Sequence, residues 1–378
     1  VHIGINALYY AHGGTLVYLQ RLLRQWSRDG STAAHRFTLF TGRRTLQRLA
    51  DSVPPEVDVA LLPLSDLGMP ARLLAEQTLL VQAARSRGID VMFCPGNNGP
   101  FWGTPSVVTF HNAGPFSPAL TPATQGWGGW LRFRLIGAFM KICARRANHL
   151  IFLSQTFRRE FSTVVPLDLQ RTTVLYHARE EAPDDDSADV LQRCQLPPRY
   201  ALLVSHLYPF RNVVEAVQAF ADPELADETL VVAGGFPVPA YAHKVRQAAE
   251  AAEINGRVRL LGETPRTDVV ALMRRCRAFL FTSSVENCPT TVIEALSMGL
   301  PMALSSQSVM PEIAGDAAVY FHPLRPHEVA RAVGRVMHDE ALRADLQRRA
   351  LAQAAKFPTE AGMAAETLRV ITGVETRR

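Results

Sequence analysis

The sequence is poor in everything that would mark a disulfide scaffold, a metalloprotein or a membrane-spanning chain. It holds five cysteines, an odd number with no CxxC pair, so neither a disulfide framework nor a thiolate metal site is supported and a reducing compartment fits the usage. No stretch approaches about 18 uninterrupted apolar residues, which argues against a membrane span. The opening "VHIGINALYY" reads directly as a strand and lacks the basic and apolar regions of a signal peptide, so a cytoplasmic chain is expected. The glycines near the start do not form GxGxxG, and a nicotinamide fingerprint is therefore missing. Acid is scarce in one place. From Leu131 to Glu160, seven basic residues (Arg132, Arg134, Lys141, Arg145, Arg146, Arg158, Arg159) face the single acid Glu160. That local excess predicts an anionic surface or substrate, whereas the overall charge of +5 gives little reason to expect nucleic-acid binding.

What is present is ample apolar material, 47% of 378 residues, enough for two domains of ordinary size. Strand and helix patterns alternate through the first half: "HIGINAL", "GTLVYLQRLLRQW", "RFTLFTG", "DVAL", "LLAEQTLLVQAARSRG", "DVMFCPG" and "SVVTFHN". Such alternation predicts a parallel sheet covered by helices. Around Arg179 to Tyr200 the chain turns acidic, polar and proline-rich, and a fresh alternation then begins with "YALLVS". The reading is an α/β protein with a first domain over 1–182, a second over 183–355, and a helix over 356–378 crossing back to the first. Two such domains facing one another would leave a cleft lined by strand carboxyl ends.

The most informative stretch is "SSVENCPTTVIEALSMGLP", which sets Glu286 and Glu294 eight positions apart with Pro289 between them. Pro289 lacks an amide hydrogen and restricts Cys288, so the two acids cannot share one regular helix. Glu286 falls in a strand-to-helix loop, and Glu294 in the first turn of a helix starting near Thr291. Thr291 and Glu294 also match a capping box, which alone would account for Glu294. Against that, a loop at a strand's carboxyl end followed by a helix amino terminus is where open α/β sheets bind phosphorylated ligands.

"HGGTLVYLQRL", "VSHLYPFRNVVEAVQAF" and "ENCPTTVIEALSMGLPM" together resemble glycosyltransferase family 4, a retaining, metal-independent group with the GT-B fold of two facing Rossmann-like domains. The resemblance implies a nucleotide diphosphate sugar as donor, no metal and no other cofactor. It places Gly13, Gly14 and Thr15 beside the donor diphosphate, with His206 and Arg211 as its basic clamp. Family members usually carry arginine and lysine at the last two positions. Glu294 would accept from the ribose hydroxyls and Glu286 from the transferred sugar. Asn287, Cys288, Pro289, Thr290 and Thr291 would form the loop that holds sugar and phosphate, and Gly262 and Glu263 would lie near the base. His111, in "VVTFHNAGPF", would orient the sugar or the nucleophile; His111, Arg211 and Glu286 are thus the expected catalytic residues.

The segment from Leu131 to Arg146 reads as a helix with a broad apolar arc opposed to Arg134, Lys141 and Arg145, preceded by Trp127 and Trp130. This side is expected to face a saccharide or lipid-linked acceptor, or an anionic membrane at its inner face, without spanning it. A nucleotide-sugar epimerase, or a non-catalytic sugar-binding protein, is the alternative reading.

Overall fold

A computed structural model describes residues 1–8, 14–63, 66–180, 189–251, 254 and 256–374. They form two α/β units. The first gathers Val1–Phe116, Leu131–Ala178 and Pro358–Arg378; the second gathers Ser117–Trp130 and Arg179–Phe357. The segment 117–130 therefore groups with the second unit, although it lies inside the range read from sequence as the first domain.

The sheet of the first unit contains β1 (His2–Ala7), β2 (Arg36–Thr41), β3 (Asp58–Leu61), β4 (Val91–Cys94), β5 (Ser106–Phe110), β6 (His149–Phe152) and β7 (Thr172–Val174), in the order β3-β2-β1-β4-β5-β6-β7. That of the second contains β8 (Ala201–Val204), β9 (Leu230–Ala233), β10 (Val258–Gly262), β11 (Ala278–Phe281), β12 (Met302–Ser305) and β13 (Ala318–Phe321), in the order β10-β9-β8-β11-β12-β13. Every pairing is parallel; Ile3 and Ile5 lie opposite Phe37 and Leu39, and Leu203 opposite Leu280. Strands such as "ALLV" and "AFLF" are apolar throughout because helices cover both faces of a parallel sheet. Strand order reverses between β1 and β4 and again between β8 and β11. These are the switch points where loops diverge and leave a crevice.

In the first unit, the helix Gly14–Arg28 buries Leu16, Tyr18, Leu19, Leu22, Leu23 and Trp26, an apolar face of helical period. Trp26 stacks on Phe37 at 5.3 Å, and its Nε1 donates to the Ala364 carbonyl at 3.0 Å. The helix Glu360–Thr372 is tied to the first unit through this bond, and it begins at Thr359, whose side chain accepts from the Gly362 amide. The pattern "LLAEQTLLVQAARSRG" reads as one helix but forms two, Met69–Gln77 and Leu79–Ser86. The break is at Thr78, whose hydroxyl donates to the Leu74 carbonyl at 2.7 Å, a local bond that competes with regular helix.

In the second unit, Gly234 follows β9 at φ +146°, where a Cβ would sit 2.0 Å from the Ser205 carbonyl oxygen. Only glycine lets the loops after β8 and β9 approach so closely. Trp26→Phe keeps the aromatic packing but removes the indole bond to the Ala364 carbonyl, which keeps its place in the helix Glu360–Thr372. It is expected to cost about 0.5–1.5 kcal/mol and to lower the thermal unfolding midpoint.

Candidate active site

The loops leaving β8 and β11 flank the switch point of the second sheet and are joined by side chains. Asn212, held at φ 52°, donates from Nδ2 to the Thr282 carbonyl at 2.8 Å and to Ser284 Oγ at 2.7 Å. In return Thr282 Oγ1 donates to the Arg211 carbonyl at 2.6 Å, and the Ser284 amide to the Phe210 carbonyl at 2.9 Å. The joined loops bring Arg211 and Glu286 into an ion pair, with side chains only 22% and 11% exposed. The Arg211 guanidinium lies 5.3 Å from the Phe210 ring centre and 5.5 Å from that of Phe281. Burial lowers its pKa to about 10, so it remains a cation at neutral pH. From the β12 side, Ser308 Oγ accepts from the Glu286 amide at 3.0 Å and donates to its carbonyl at 2.8 Å. The position of the first acid is therefore fixed through its backbone.

Glu294 is not a cap. The helix spans Thr290–Ser297 with Pro289 at its N-cap, so Thr291 already lies inside it and no side-chain cap forms. Instead the buried Glu294 carboxylate takes two bonds from Arg266, Nη1 to Oε2 at 2.9 Å and Nη2 to Oε1 at 2.8 Å. Arg266 Nη2 also pairs with Glu180, and half of its side chain is exposed. Each carboxylate oxygen still has a lone pair for a hydroxyl donor. Asn287 and Cys288, between the two acids, are buried.

Two further loops, those after β9 and β10, meet the β8 loop at the same edge. His206 Nδ1 lies 4.0 Å from Glu263 Oε2, with both side chains largely exposed. Between them is Gly235, where an added Cβ would lie 2.2 Å from that oxygen and 3.2 Å from the imidazole nitrogen. Gly262 turns the chain at φ +72°.

In the first unit, His111 follows β5. Its backbone amide and that of Asn112 both donate to Asn97 Oδ1 at 2.8 Å. The neighbouring Asn98 donates to the buried Glu76 carboxylate at 2.6 Å, and Asn6 to its other oxygen at 2.5 Å. Burial raises the Glu76 pKa despite these bonds. The His111 ring lies 5.0 Å from Tyr18 and 5.5 Å from His177. Burial and then the adjacent imidazole hold His111 well below the usual histidine range, while burial and Arg21 lower His177 to about 4. Both rings are therefore neutral at neutral pH. His111 Nε2 is shielded from solvent and has no hydrogen-bond partner among the described residues. Gly14 opens the helix Gly14–Arg28 and is exposed, with open space where a Cβ would stand; Thr15 is half-buried beside it. Gly13 lies outside the described residues.

The helix Pro122–Arg146 is kinked at Gly126. Trp127 is 75% exposed and meets Trp130 edge-on at 5.8 Å. From 131 onward the apolar arc divides. Gly137, Met140, Cys143 and Ala144 are buried, while Leu131, Leu135, Ala138 and Ile142 form an exposed stripe at helical spacing. By the same period Arg134 and Arg145 border the stripe on one side and Arg132 and Arg146 on the other. Lys141 is half-buried, its Nζ 5.9 Å from the Phe116 ring centre. The cations thus border an exposed apolar stripe rather than oppose a buried arc. No helix among the described residues is long and apolar enough to cross a membrane, and none of their His, Cys, Asp and Glu side chains form a metal-ligand group.

The family described as Glycosyltransferase Family 4 matches residues 12–180, and that described as Glycosyl transferases group 1 matches 192–353. The chain is a glycosyltransferase of the family 4 type. Among curated relatives of this glycosyltransferase, the O-antigen chain mannosyltransferase B of Escherichia coli is 28% identical over 267 residues, 68% of this chain and 67% of that one. The serotype-specific mannosyltransferase WbdA of Escherichia coli is 25% identical over 56% of this chain, but the match spans only 27% of WbdA. The fold is that of the Anabaena protein HepE, solved in complex with UDP, with a TM-score of 0.73, 18% identity and coverage of 98% and 99% of the two chains. Its two parallel-sheet domains have the GT-B architecture.

Within the second unit of the glycosyltransferase, the residues expected from sequence lie at the carboxyl edge of one sheet: His206, Arg211, Glu263, 286–291 and Glu294 in loops or the helix Thr290–Ser297, and Gly262 at the end of β10. Arg266, Asn212, Ser308 and Gly235 were missed. Each acts on a partner distant in sequence, and no local motif marks it.

Proposed function

We propose that this glycosyltransferase moves a hexosyl group from a GDP- or UDP-linked sugar, with retention of anomeric configuration, to a saccharide or lipid-linked acceptor in surface-polysaccharide or glycolipid synthesis. The observation that carries this reading is the Arg211–Glu286 pair at the switch point of the second sheet, with Glu294 on the helix that follows. The names of the curated relatives favour a mannosyl group, and the UDP bound by HepE keeps uridine among the candidate bases.

In the proposed reaction the bond from the anomeric carbon to the diphosphate oxygen breaks. A bond from the acceptor hydroxyl oxygen forms on the same face, and the hydroxyl proton passes to the departing phosphate. No protein base is required. Arg211, aided by His206 when protonated, stabilises the negative charge that grows on the diphosphate. Glu286 accepts from sugar hydroxyls and Glu294 from the ribose diol, while Thr290 and Thr291 supply hydroxyl donors. His111, held neutral, donates or accepts at one nitrogen to orient sugar or nucleophile. The exposed stripe Leu131–Ile142 with its bordering arginines suits contact with an anionic membrane at the inner face.

An epimerase on the same general fold would invert a sugar carbon and give no glycosylated product. Incubating the protein with candidate donors and an oligosaccharide acceptor is expected to give equal amounts of nucleoside diphosphate and glycoside. The product anomer, read by NMR, should match that of the donor. Excess chelator should leave the rate unchanged; an absolute need for magnesium or manganese, or an inverted product, would contradict the reading.

Arg266 is expected to act on nucleotide binding through Glu294. Arg266→Ala should weaken nucleoside diphosphate binding by about tenfold, since a charged partner that orients the ribose acceptor is lost. The loss should be much smaller for the 2′,3′-dideoxy nucleotide, which has no diol for Glu294. Equal losses for both nucleotides by calorimetry would show that Arg266 does not work through Glu294.

A further inference from the structure

At the edge of the first sheet opposite His111, the amino ends of β6 and β7 meet the last turns of the helices Pro122–Arg146 and Glu360–Thr372 around a depression of about 610 Å³. That volume is within the range of small-molecule sites. The strands separate it from the His111 end of the sheet by on the order of 13 Å. Arg145, Arg146, Arg171, Arg369 and His149 line it, and among the described residues no acidic side chain does.

The cations are not equally engaged. Arg171 donates from Nε to the Asn148 carbonyl at 3.0 Å and from Nη2 to that of Ala147, closing the end of the helix Pro122–Arg146. Arg369 is paired with Glu366, Nε to Oε2 at 2.7 Å. Arg145 and Arg146 are exposed and make no hydrogen bond or ion pair with the described residues. His149 Nε2 lies 2.9 Å from Thr173 Oγ1, and burial, then Arg171 and Arg369, push its pKa down. Arginines in a helix's last turn complement its dipole, but that does not explain why two helix ends and two strand starts enclose a concave site with no acid among the described residues.

We infer that this depression binds the headgroup phosphate of an anionic lipid, in addition to the donor site of the second unit. The occupant follows from Arg145 and Arg146, which belong both to the depression and to the borders of the exposed stripe Leu131, Leu135, Ala138 and Ile142. A lipid surface met by the stripe presents its phosphates to these guanidiniums, which match phosphate oxygens with paired donors. The choice of occupant rests on the membrane contact proposed above; the anion site itself does not.

The test titrates the full chain with monomeric dihexanoyl phosphatidylglycerol, dihexanoyl phosphatidylcholine and inorganic phosphate at low salt, and then measures flotation with phosphatidylcholine vesicles with and without phosphatidylglycerol. Phosphatidylglycerol is expected to bind saturably and more tightly than phosphatidylcholine. Arg145→Gln with Arg146→Gln should weaken it on the order of 30-fold, at about fivefold per arginine. Lysine at both positions should retain most of the affinity, which separates lost charge from lost folding. Leu131→Ser with Leu135→Ser should reduce flotation while leaving the soluble lipid's affinity unchanged. Soluble-lipid binding that depends on both arginines, with no vesicle preference, upholds the site and removes only the membrane contact. Equal affinity for the two soluble lipids, no loss in the glutamine variant, or phosphate binding as tightly as phosphatidylglycerol would overturn the assignment.

Discussion

The proposed donor site depends on one buried ion pair. Arg211 and Glu286 come from loops on either side of a strand-order reversal, both side chains are mostly buried, and the Arg211 guanidinium lies against the rings of Phe210 and Phe281. A buried pair of this kind adds little net stability, because desolvating two charges offsets most of their attraction. Its value lies in preorganisation. With no donor bound, each charge neutralises the other; a diphosphate offers Arg211 a second anion, and sugar hydroxyls offer Glu286 a second set of donors. In the proposed reaction, exchange of partners would deliver both groups to the substrate without either being exposed to water.

The same arrangement recurs at a second level. Glu294 is oriented by Arg266, Glu286 by Ser308 through its backbone, and the two loops by Asn212. In the first unit Asn97 carries the His111 loop, and the adjacent Asn98 is anchored to the buried Glu76. Groups that would touch substrate are each held by a side chain that does not, which fixes geometry before any ligand arrives.

The sequence showed the α/β alternation and the acids at 286 and 294 because their signals are local: apolar runs bounded by turns, and carboxylates at fixed spacing around a proline. It did not show the supports. Arg266 lies 28 positions from Glu294, Asn212 lies 70 from Thr282, and Ser308 lies 22 from Glu286, distances at which only the fold makes neighbours. The capping box failed for a related reason. Its pattern fits Thr291 as the N-cap, but the N-cap is Pro289, two residues earlier, and Arg266 competes for the carboxylate. Strands β6 and β7 escaped the reading because they are short and lie in or just beyond the locally basic segment, and the break at Thr78 because a threonine inside an apolar helical pattern carries no turn signal.

Partner exchange is most directly tested by calorimetric binding of the bare nucleoside diphosphate and of the intact nucleotide sugar to Glu286→Gln. Neutralising Glu286 releases Arg211 to the diphosphate. The bare nucleotide is therefore expected to bind at least as tightly as to the unaltered protein, while the nucleotide sugar loses the contribution of its hydroxyl contacts. A loss of affinity for the bare nucleotide as large as that for the nucleotide sugar, in a variant whose thermal midpoint shows it folded, would contradict the claim that the pair competes with the donor for Arg211.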